Sequence, residues 1–546
     1  MLNPILQKDW QKQLAPAFLT ILPLLIFWIF WFFHPAYWFH TDPAAWYFLD
    51  SLAPFAGKPY VYVDHPGTPV HLIGTLLLGL TYPFFDSQEA FIRYYIGKPE
   101  AFFVQANLFL LAANILTILV FYKTIRANLN RDKILAASAL SLMYFGIHPH
   151  GFNSLIYWSH NSFNFIFGTL WLLWLYHALQ KKTPLNWKTL SALGFAAGAL
   201  SMTQLYLLTW LAGGVVSVFA FGLRSGRSMR QALGDGFILL AGGAAGILTL
   251  LAPISGQVPR MLEWLGRLLG TNGLYGAGEQ NLYSLNLIPL SIGFWAQYTP
   301  ALMLALALAL IGLATIAWLA RQKHLNISPA DFAMLAGMLV QIALLLLVLS
   351  KFFSRIRYTL ALAAVLPVLV FIIVKLLENS PWNLAPIKRL LYIGTIISAF
   401  FFMARDMQIQ DQRDFVEKDA ALARSVAAAS FAQSKGIAKD EVVTVYGFGT
   451  PLKCAGLLLA NNWIRAFDRE IGDLCPNQYA LYDFAFDVEF NLTQPVPQIE
   501  DIDWDLIVWP GKNTSLSVYL ESVGARNIPG SWGIERSKWF YIRPEQ

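Results

Sequence analysis

Charge is scarce in this 546-residue chain: Asp, Glu, Lys and Arg together make up 13% of it, against roughly a quarter in an ordinary soluble domain. With 56% of residues hydrophobic, that scarcity excludes a water-soluble enzyme and implies a lipid solvent. Cysteine is nearly absent. The only two, Cys454 and Cys475, stand near the C-terminal end; a pair confined to one exported module reads as a disulfide, the alternative being two buried thiols. No small-residue cleavage site follows the N-terminal apolar run, which leaves a retained helix in place of a removed signal peptide. No HExxH or comparable ligand spacing occurs, so no metal cofactor is expected. A divalent ion held by clustered histidines is the alternative.

What the chain has in abundance is apolar length. At about 20 residues per crossing, runs that suffice or nearly suffice occupy 15–34, 101–122, 134–148, 161–179, 189–203, 205–223, 233–254, 298–320, 330–349, 358–377 and 388–404. The third and fifth are short. Aromatics at 15% suit rings packed in helix bundles and belted at membrane interfaces. Residues 1–404 carry 25 Lys and Arg against 13 Asp and Glu, whereas residues 405–546 carry 14 against 20. A basic membrane part therefore ends in an acidic soluble tail, and the positive balance follows loop topology instead of signalling nucleic acid as a partner.

With the N-terminus inside, 17 of those 25 cations fall in inner loops, as the positive-inside rule asks. An odd number of spans then places the tail outside. The tail opens with an amphipathic stretch near 411–434 and alternates strand-like VVTVY (442–446) and DLIVW (505–509) with helical segments. The predicted fold is an α-helical polytopic membrane protein of about eleven transmembrane helices over residues 1–404, followed by a small extracytoplasmic α/β domain over 405–546. The expected location is the inner (cytoplasmic) membrane of the cell, crossed many times.

Three outer segments are too long for turns. The first, 35–100, holds amphipathic stretches around 43–55 and 68–82; the second, 148–160, is rich in His, Asn and aromatics; the third, 255–297, carries RMLEWLGRLLG and then the glycine-rich NGLYGAGEQ. Asp42 follows the first span by a few residues, and Asp64 precedes an HPGTP turn that opens an apolar helix. Acids this close to the hydrocarbon boundary are costly unless they pair or work. Asp42 also suits capping a helix that starts at Pro43, a role compatible with chemistry. Asp50 reads as a surface or structural acid.

Lys351, Arg355 and Arg357 form the one dense cationic cluster on the outer side, where no topology rule asks for it. Arg binds phosphate oxygens bidentately and Lys adds a point charge, so the cluster suits a lipid-linked phosphate; the plainer reading is snorkelling to headgroups. Histidines His34, His40, His65, His71, His148, His150 and His160 also gather at or outside the outer face. They read as interfacial hydrogen-bonders or phosphate contacts. The Gly447-Phe448-Gly449 turn after VVTVY is read as a tight strand-to-helix connection.

The acid Asp42 just after the first span, the long first loop ending at Asp64-His65-Pro66, and the basic Arg357-Tyr358 opening a late span together resemble the polyprenyl-phosphate-sugar-dependent glycosyltransferases of the GT-C superfamily. The likeness is nearest to the protein O-mannosyltransferase and lipid A aminoarabinose transferase branch. It covers the membrane part in span count and loop plan, with residue-level support in the first loop and at 351–358. Pro43 departs from a second acid found in many relatives, His65 from a lysine, and His160-Asn161 from a position where an acid is common.

The resemblance implies a GT-C-like fold and inverting transfer of a sugar from a polyprenyl-phosphate donor to a glycan, lipid or protein acceptor, in contact with membrane lipid. It casts Asp42 and Asp64 as catalytic, and His65, Lys351, Arg355 and Arg357 as contacts of the donor phosphate. Tyr60, Tyr62, Tyr275, Glu279 and Tyr358 are placed as substrate-lining by their location. A flippase or exporter of a lipid-linked glycan is the competing reading; it asks for ionisable residues within the spans and an internal repeat, and neither is clear in the sequence.

Overall fold

The computed structural model describes residues 4–38, 41–63, 65–181, 185–270, 285–378 and 385–413, and in the tail 426, 430, 432–434, 436–438, 442–446, 451–480, 506–508, 526–527 and 540–542. Asp64, Tyr275 and Glu279 lie outside the described residues, as do the Gly447–Gly449 turn and most of the 411–434 stretch. Of Asp42 only the backbone is described.

Sixteen helices carry the chain as far as residue 412: α1 Pro4–Phe33, α2 Thr41–Leu52, α3 Thr68–Thr81, α4 Gln88–Gly97, α5 Glu100–Asn128, α6 Lys133–Ile147, α7 Phe163–Gln180, α8 Trp187–Ser201, α9 Leu208–Arg224, α10 Met229–Leu251, α11 Val258–Gly270, α12 Leu287–Tyr298, α13 Pro300–Arg321, α14 Pro329–Ser350, α15 Leu360–Glu378 and α16 Ala385–Gln412. Among the described residues, nine are long and apolar enough to cross a membrane, and the chain is a multi-pass membrane protein. Each of the eleven apolar runs is helical. The two short ones, α6 and α8, are 15 residues each and fall below the length of a full crossing at 1.5 Å rise per residue, about 30 Å. α3 and α4 meet at a bend of 120°. Many side chains on α1, α13 and α16, such as Phe33, Leu304, Ile311, Ile397 and Phe401, are exposed, as helices bathed in lipid allow.

Local chemistry sets the helix starts. Ser228 accepts from the Gln231 backbone while the Gln231 side chain caps Ser228 in return, and Ser328 accepts from Asp331 N just ahead of Pro329; both satisfy N–H groups that a helix start leaves open.

Two compact units emerge. The first comprises 1–30, 63–70 and 107–407. Its core is α15, whose residues are almost all buried and which packs against α6, α7, α13 and α14. Lipid gives no hydrophobic drive between helices, so close packing of small residues must hold them. α8 carries Gly194-Phe-Ala-Ala-Gly198 and α10 carries Gly242-Gly-Ala-Ala-Gly246. A methyl at Gly194 would fall on the carbonyl oxygen of Leu239, and one at Gly198 on that of Gly243. The two backbones touch.

The second unit comprises 31–62, 71–106 and the tail from 408. Here the tail helix Lys453–Ile464 packs on α2, and Asp468–Leu474 packs on α4. Lys453 Nζ donates to Gly97 O at 3.0 Å. Cys454, at the start of one tail helix, is bonded to Cys475, just past the end of the other, with Cα atoms 5.9 Å apart. Among the described residues of the tail five strand segments, β1 Val442–Tyr446, β2 Gln478–Ala480, β3 Leu506–Val508, β4 Arg526–Asn527 and β5 Phe540–Ile542, pair in the order β2-β1-β3-β5-β4. β1 is parallel to β2 and β3, and β5 is antiparallel to β3 and β4.

Asp50 has a structural role and is no surface acid. It is fully buried, its carboxylate accepts from the backbone N–H groups of Val61 at 2.8 Å and Tyr62 at 2.9 Å, and His71 Nδ1 lies 3.4 Å away. The other imidazole nitrogen of His71 donates to the carbonyl of Tyr62 at 2.9 Å. An acid with no solvent needs such partners, and here they fold the 60–62 segment back along α2 and α3. Tyr60 and Tyr62 are buried with it: the Tyr60 hydroxyl bonds Thr75 at 3.0 Å, and the Tyr62 ring packs on Tyr47.

Candidate functional site

Within the first unit, loops far apart in sequence meet. The segment 63–70 brings His65 against His160, with ring centroids 4.2 Å apart, and against Tyr358 at 6.2 Å. Tyr206, in the short turn between α8 and α9, has its ring 6.0 Å from that of Tyr358 and its hydroxyl 3.3 Å from Asn164 Nδ2. Asn161 Nδ2 lies 3.1 Å from His160 Nε2. His65, His160, Asn161, Asn164, Tyr206, Arg357 and Tyr358 thus form one linked cluster.

The backbone between α14 and α15 explains how Arg357 is presented. α14 stops at Ser350, a turn runs through 351–355, and a 3-10 segment, Ile356–Thr359, leads into α15. The turn is braced by α12: Ser291 Oγ donates to Ser350 O at 3.0 Å, and Trp295 Nε1 donates to Phe353 O at 3.1 Å. The 3-10 segment is pinned from the other side by His148. His148 Nδ1 accepts from the His150 backbone N–H at 3.0 Å, so its proton is on Nε2, which donates to Thr359 Oγ1 at 2.8 Å. Thr359 passes the direction on by donating to Ile356 O at 2.7 Å. Burial, with His150 beside it, holds His148 well below the ordinary histidine range. A neutral ring is what this relay requires.

The charged side chains described in and beside this cluster, Lys351, Arg355 and Arg357, are all cationic. Burial, followed by the guanidinium of Arg357, pushes His65 from its ordinary 6.5 down to about 3. At neutral pH it is therefore a neutral hydrogen-bonding ring, not the cation that a lysine in its place would supply. Lys351 is only 2% exposed, and burial lowers its ammonium below the usual lysine value. Arg357 guanidinium lies 5.7 Å over the Tyr358 ring. Arg355 sits at the head of the 3-10 segment, where Tyr358 N donates to its carbonyl at 2.9 Å. The cluster can receive an anion at its Arg357 end. Among the described residues no three His, Cys, Asp or Glu side chains are grouped to hold a metal ion.

Several buried polar groups escaped the sequence reading. Among the described residues Asn161 Oδ1, Asn164 Oδ1, Thr203 Oγ1, Gln204 Oε1 and Thr209 Oγ1 have no hydrogen-bond donor, and all five residues are buried. For Thr203 and Gln204 the signal was the polar Ser-Met-Thr-Gln-Leu-Tyr stretch at 201–206, where two apolar runs meet. Read by hydropathy, it is only a boundary between spans.

No protein-family model matches the chain, and no curated protein matches it.

Proposed function

We propose that the chain is an integral-membrane glycosyltransferase that moves a sugar from a polyprenyl-phosphate donor to a glycan, lipid or protein acceptor on the outer side of the cytoplasmic membrane. The observation that carries this reading is the meeting of His65 with His160, Tyr358 and Arg357, which gathers a guanidinium, neutral imidazoles and buried amides between membrane-crossing helices. Arg357, with Lys351 and Arg355 in the adjoining turn, supplies the positive end for the lipid phosphate. In the reaction the acceptor hydroxyl oxygen bonds to the anomeric carbon as the bond from that carbon to the phosphate oxygen breaks. Asp42 takes the hydroxyl proton, and the lipid phosphate leaves with an added negative charge that the cations stabilise. A single displacement inverts the anomeric carbon.

The first unit also has room for the carrier. An apolar cavity of about 530 Å³, lined by Leu140, Met143, Ala305, Gly312, Ile373 and Thr395 among others, reaches Gly146 and Ile147. His148 follows directly, and its bond to Thr359 puts that end of the cavity two residues from Arg357. An isoprenoid tail suits such a slot. A transporter finds less support: Asp331 and Lys375, 2.8 Å apart at the ends of α14 and α15 with Tyr176 completing the contact, form a closed clamp between helices. The tail, with its disulfide and paired strands, is in this reading a small extracytoplasmic α/β module.

Arg357→Ala is expected to weaken binding of a polyprenyl-phosphate donor by about 10-fold to 100-fold, the scale of a lost charged hydrogen bond, with the KM for the acceptor unchanged. Donor titrations of the purified protein check it, and an unchanged donor affinity assigns the cation to headgroup snorkelling. The tail makes a separate prediction. A membrane-impermeant maleimide added to intact cells should leave Cys454 and Cys475 unlabelled, then label both after an external reductant. Labelling confined to the cytoplasmic side overturns the topology.

A further inference from the structure

We infer that the lipid held at the Arg357 turn is selected by the length of its chain, which lies in the apolar slot and must run past the middle of the bilayer, as the chain of an ordinary phospholipid does not; this rests on the transferase reading above. The slot is open along one side. Its floor, Leu140 and Met143 of α6 with Ile373 and Val374 of α15, is buried, whereas Leu304 on α13 and Leu390 on α16 form exposed rims. A chain therefore enters sideways from the membrane and does not have to thread.

Length separates one class of lipid from another. On α13 the slot extends from Ala301 to Thr315, about 21 Å at a rise of 1.5 Å per residue. α13 itself runs Pro300–Arg321, so its middle falls between Leu310 and Ile311, and the slot continues beyond that level. On α16 it reaches Ile387 and Lys388, in the first turn of the helix. One leaflet supplies about 15 Å, half of the hydrocarbon thickness. A chain anchored at one face and filling the slot is thus longer than a leaflet is deep. Lipid tails are as apolar as the slot, so what the longer chain gains is packing along the walls and not escape from water.

Charge decides at which end the head sits. The near end, at Gly146 and Ile147, adjoins His148, whose bond to Thr359 leads to the 351–358 turn, Lys-Phe-Phe-Ser-Arg-Ile-Arg-Tyr, with cations and no acid in its sequence. At the far end the cations that open α16 already face carboxylates. Lys388 Nζ lies 3.7 Å from Glu378 Oε1, and Arg389 Nε donates to Asp132 Oδ2 at 2.9 Å. A lipid phosphate at the far end would have to compete with those acids, whereas at the near end it meets the cationic turn.

The test uses the full-length protein in nanodiscs of zwitterionic lipid, with a photoreactive benzophenone residue in place of Thr315 at the far end of the slot. Undecaprenyl phosphate, geranyl phosphate and dioleoyl phosphatidate are added at equal mole fraction. Undecaprenyl phosphate is expected to cross-link at position 315, while the other two do not; the two isoprene units of geranyl phosphate reach only about 10 Å, with carbon–carbon bonds of about 1.5 Å. On the unlabelled protein, per mole of membrane lipid, undecaprenyl phosphate should bind about tenfold tighter than geranyl phosphate. Gly394→Phe then fills the slot. Gly394 lines it, and a methyl there meets nothing within 4 Å, whereas at Gly312 one would meet Ile373 at 2.7 Å. The variant should lose the difference between the two phosphates and keep both its affinity for geranyl phosphate and its melting temperature; if it is unstable, the cross-link at position 315 alone decides. Equal affinity for the two phosphates, or equal cross-linking of the phosphatidate, makes the slot a seat for ordinary lipid and overturns the inference, while the transferase reading stands. If neither phosphate binds, both fall.

Discussion

Gly198→Leu is expected to abolish the folded protein, giving no monodisperse peak on size exclusion in mild detergent, whereas Gly234→Leu on the same helix pair should be tolerated. The difference lies in what each new side chain meets. At Gly198 even the first carbon would fall on the backbone carbonyl of Gly243, and Gly194, Gly242 and Gly246 are just as close to facing backbone oxygens. At Gly234 nothing lies within 4 Å. A backbone oxygen cannot rotate aside, so α8 and α10 must separate along their length. Inserting bulk into a well-packed contact costs about 1–3 kcal/mol where neighbours can yield, and here the yielding partner is a helix. Separation also forfeits the packing that replaces the hydrophobic drive in lipid. Since α10 packs in turn on α9, and α9 on α14, the disturbance reaches the helix that ends at Ser350, one residue before the cationic turn. Equal recovery of the Gly198 and Gly234 variants would show that the helix contact does not govern folding.

Much of this architecture was legible because hydropathy is a one-dimensional property. Each apolar run became a helix, and VVTVY became β1 residue for residue. What escaped depended on pairs. α12 fell almost wholly within the outer segment 255–297, since twelve residues containing Pro289 and Gly293 give too short an apolar run; its role in bracing the 350–353 turn appears only when Ser291 and Trp295 meet their carbonyls. Asp50 read as a surface or a structural acid, and the choice stayed open because the partners that settle it are the backbone N–H groups of Val61 and Tyr62, which no composition reveals. The candidate site divides the same way. That His65, Arg357 and Tyr358 stand at the hydrocarbon boundary could be read from loop positions, but that His65 touches His160 and Tyr358 could not. Asn164 and Gln204 were missed because a lone polar residue beside an apolar run looks like an interface, and only burial without a donor marks it out.

Asp42→Asn is expected to cut sugar transfer by a factor of about 10³, within the 10²–10⁴ range of a general base, while expression, melting temperature and donor affinity stay unchanged. The backbone of Asp42 lies in the first turn of α2, which starts at Thr41, so residue 42 is inside the helix and does not precede it as a cap would. Asn preserves the shape and polarity of the side chain and can still serve a helix start; what it cannot do is accept the acceptor's proton. The comparison that makes the prediction sharp is Asp50→Asn, on the same helix eight residues on. That carboxylate receives two backbone N–H groups and faces His71, so its neutral replacement should lower the melting temperature and reduce activity only in step with the loss of folded protein. Two acids on one short helix would then separate cleanly, one by turnover at constant stability and the other by stability at constant specific activity. Full turnover in Asp42→Asn would remove it from the chemistry and move the search for the base to Asp64, the other first-loop acid that the resemblance casts as catalytic.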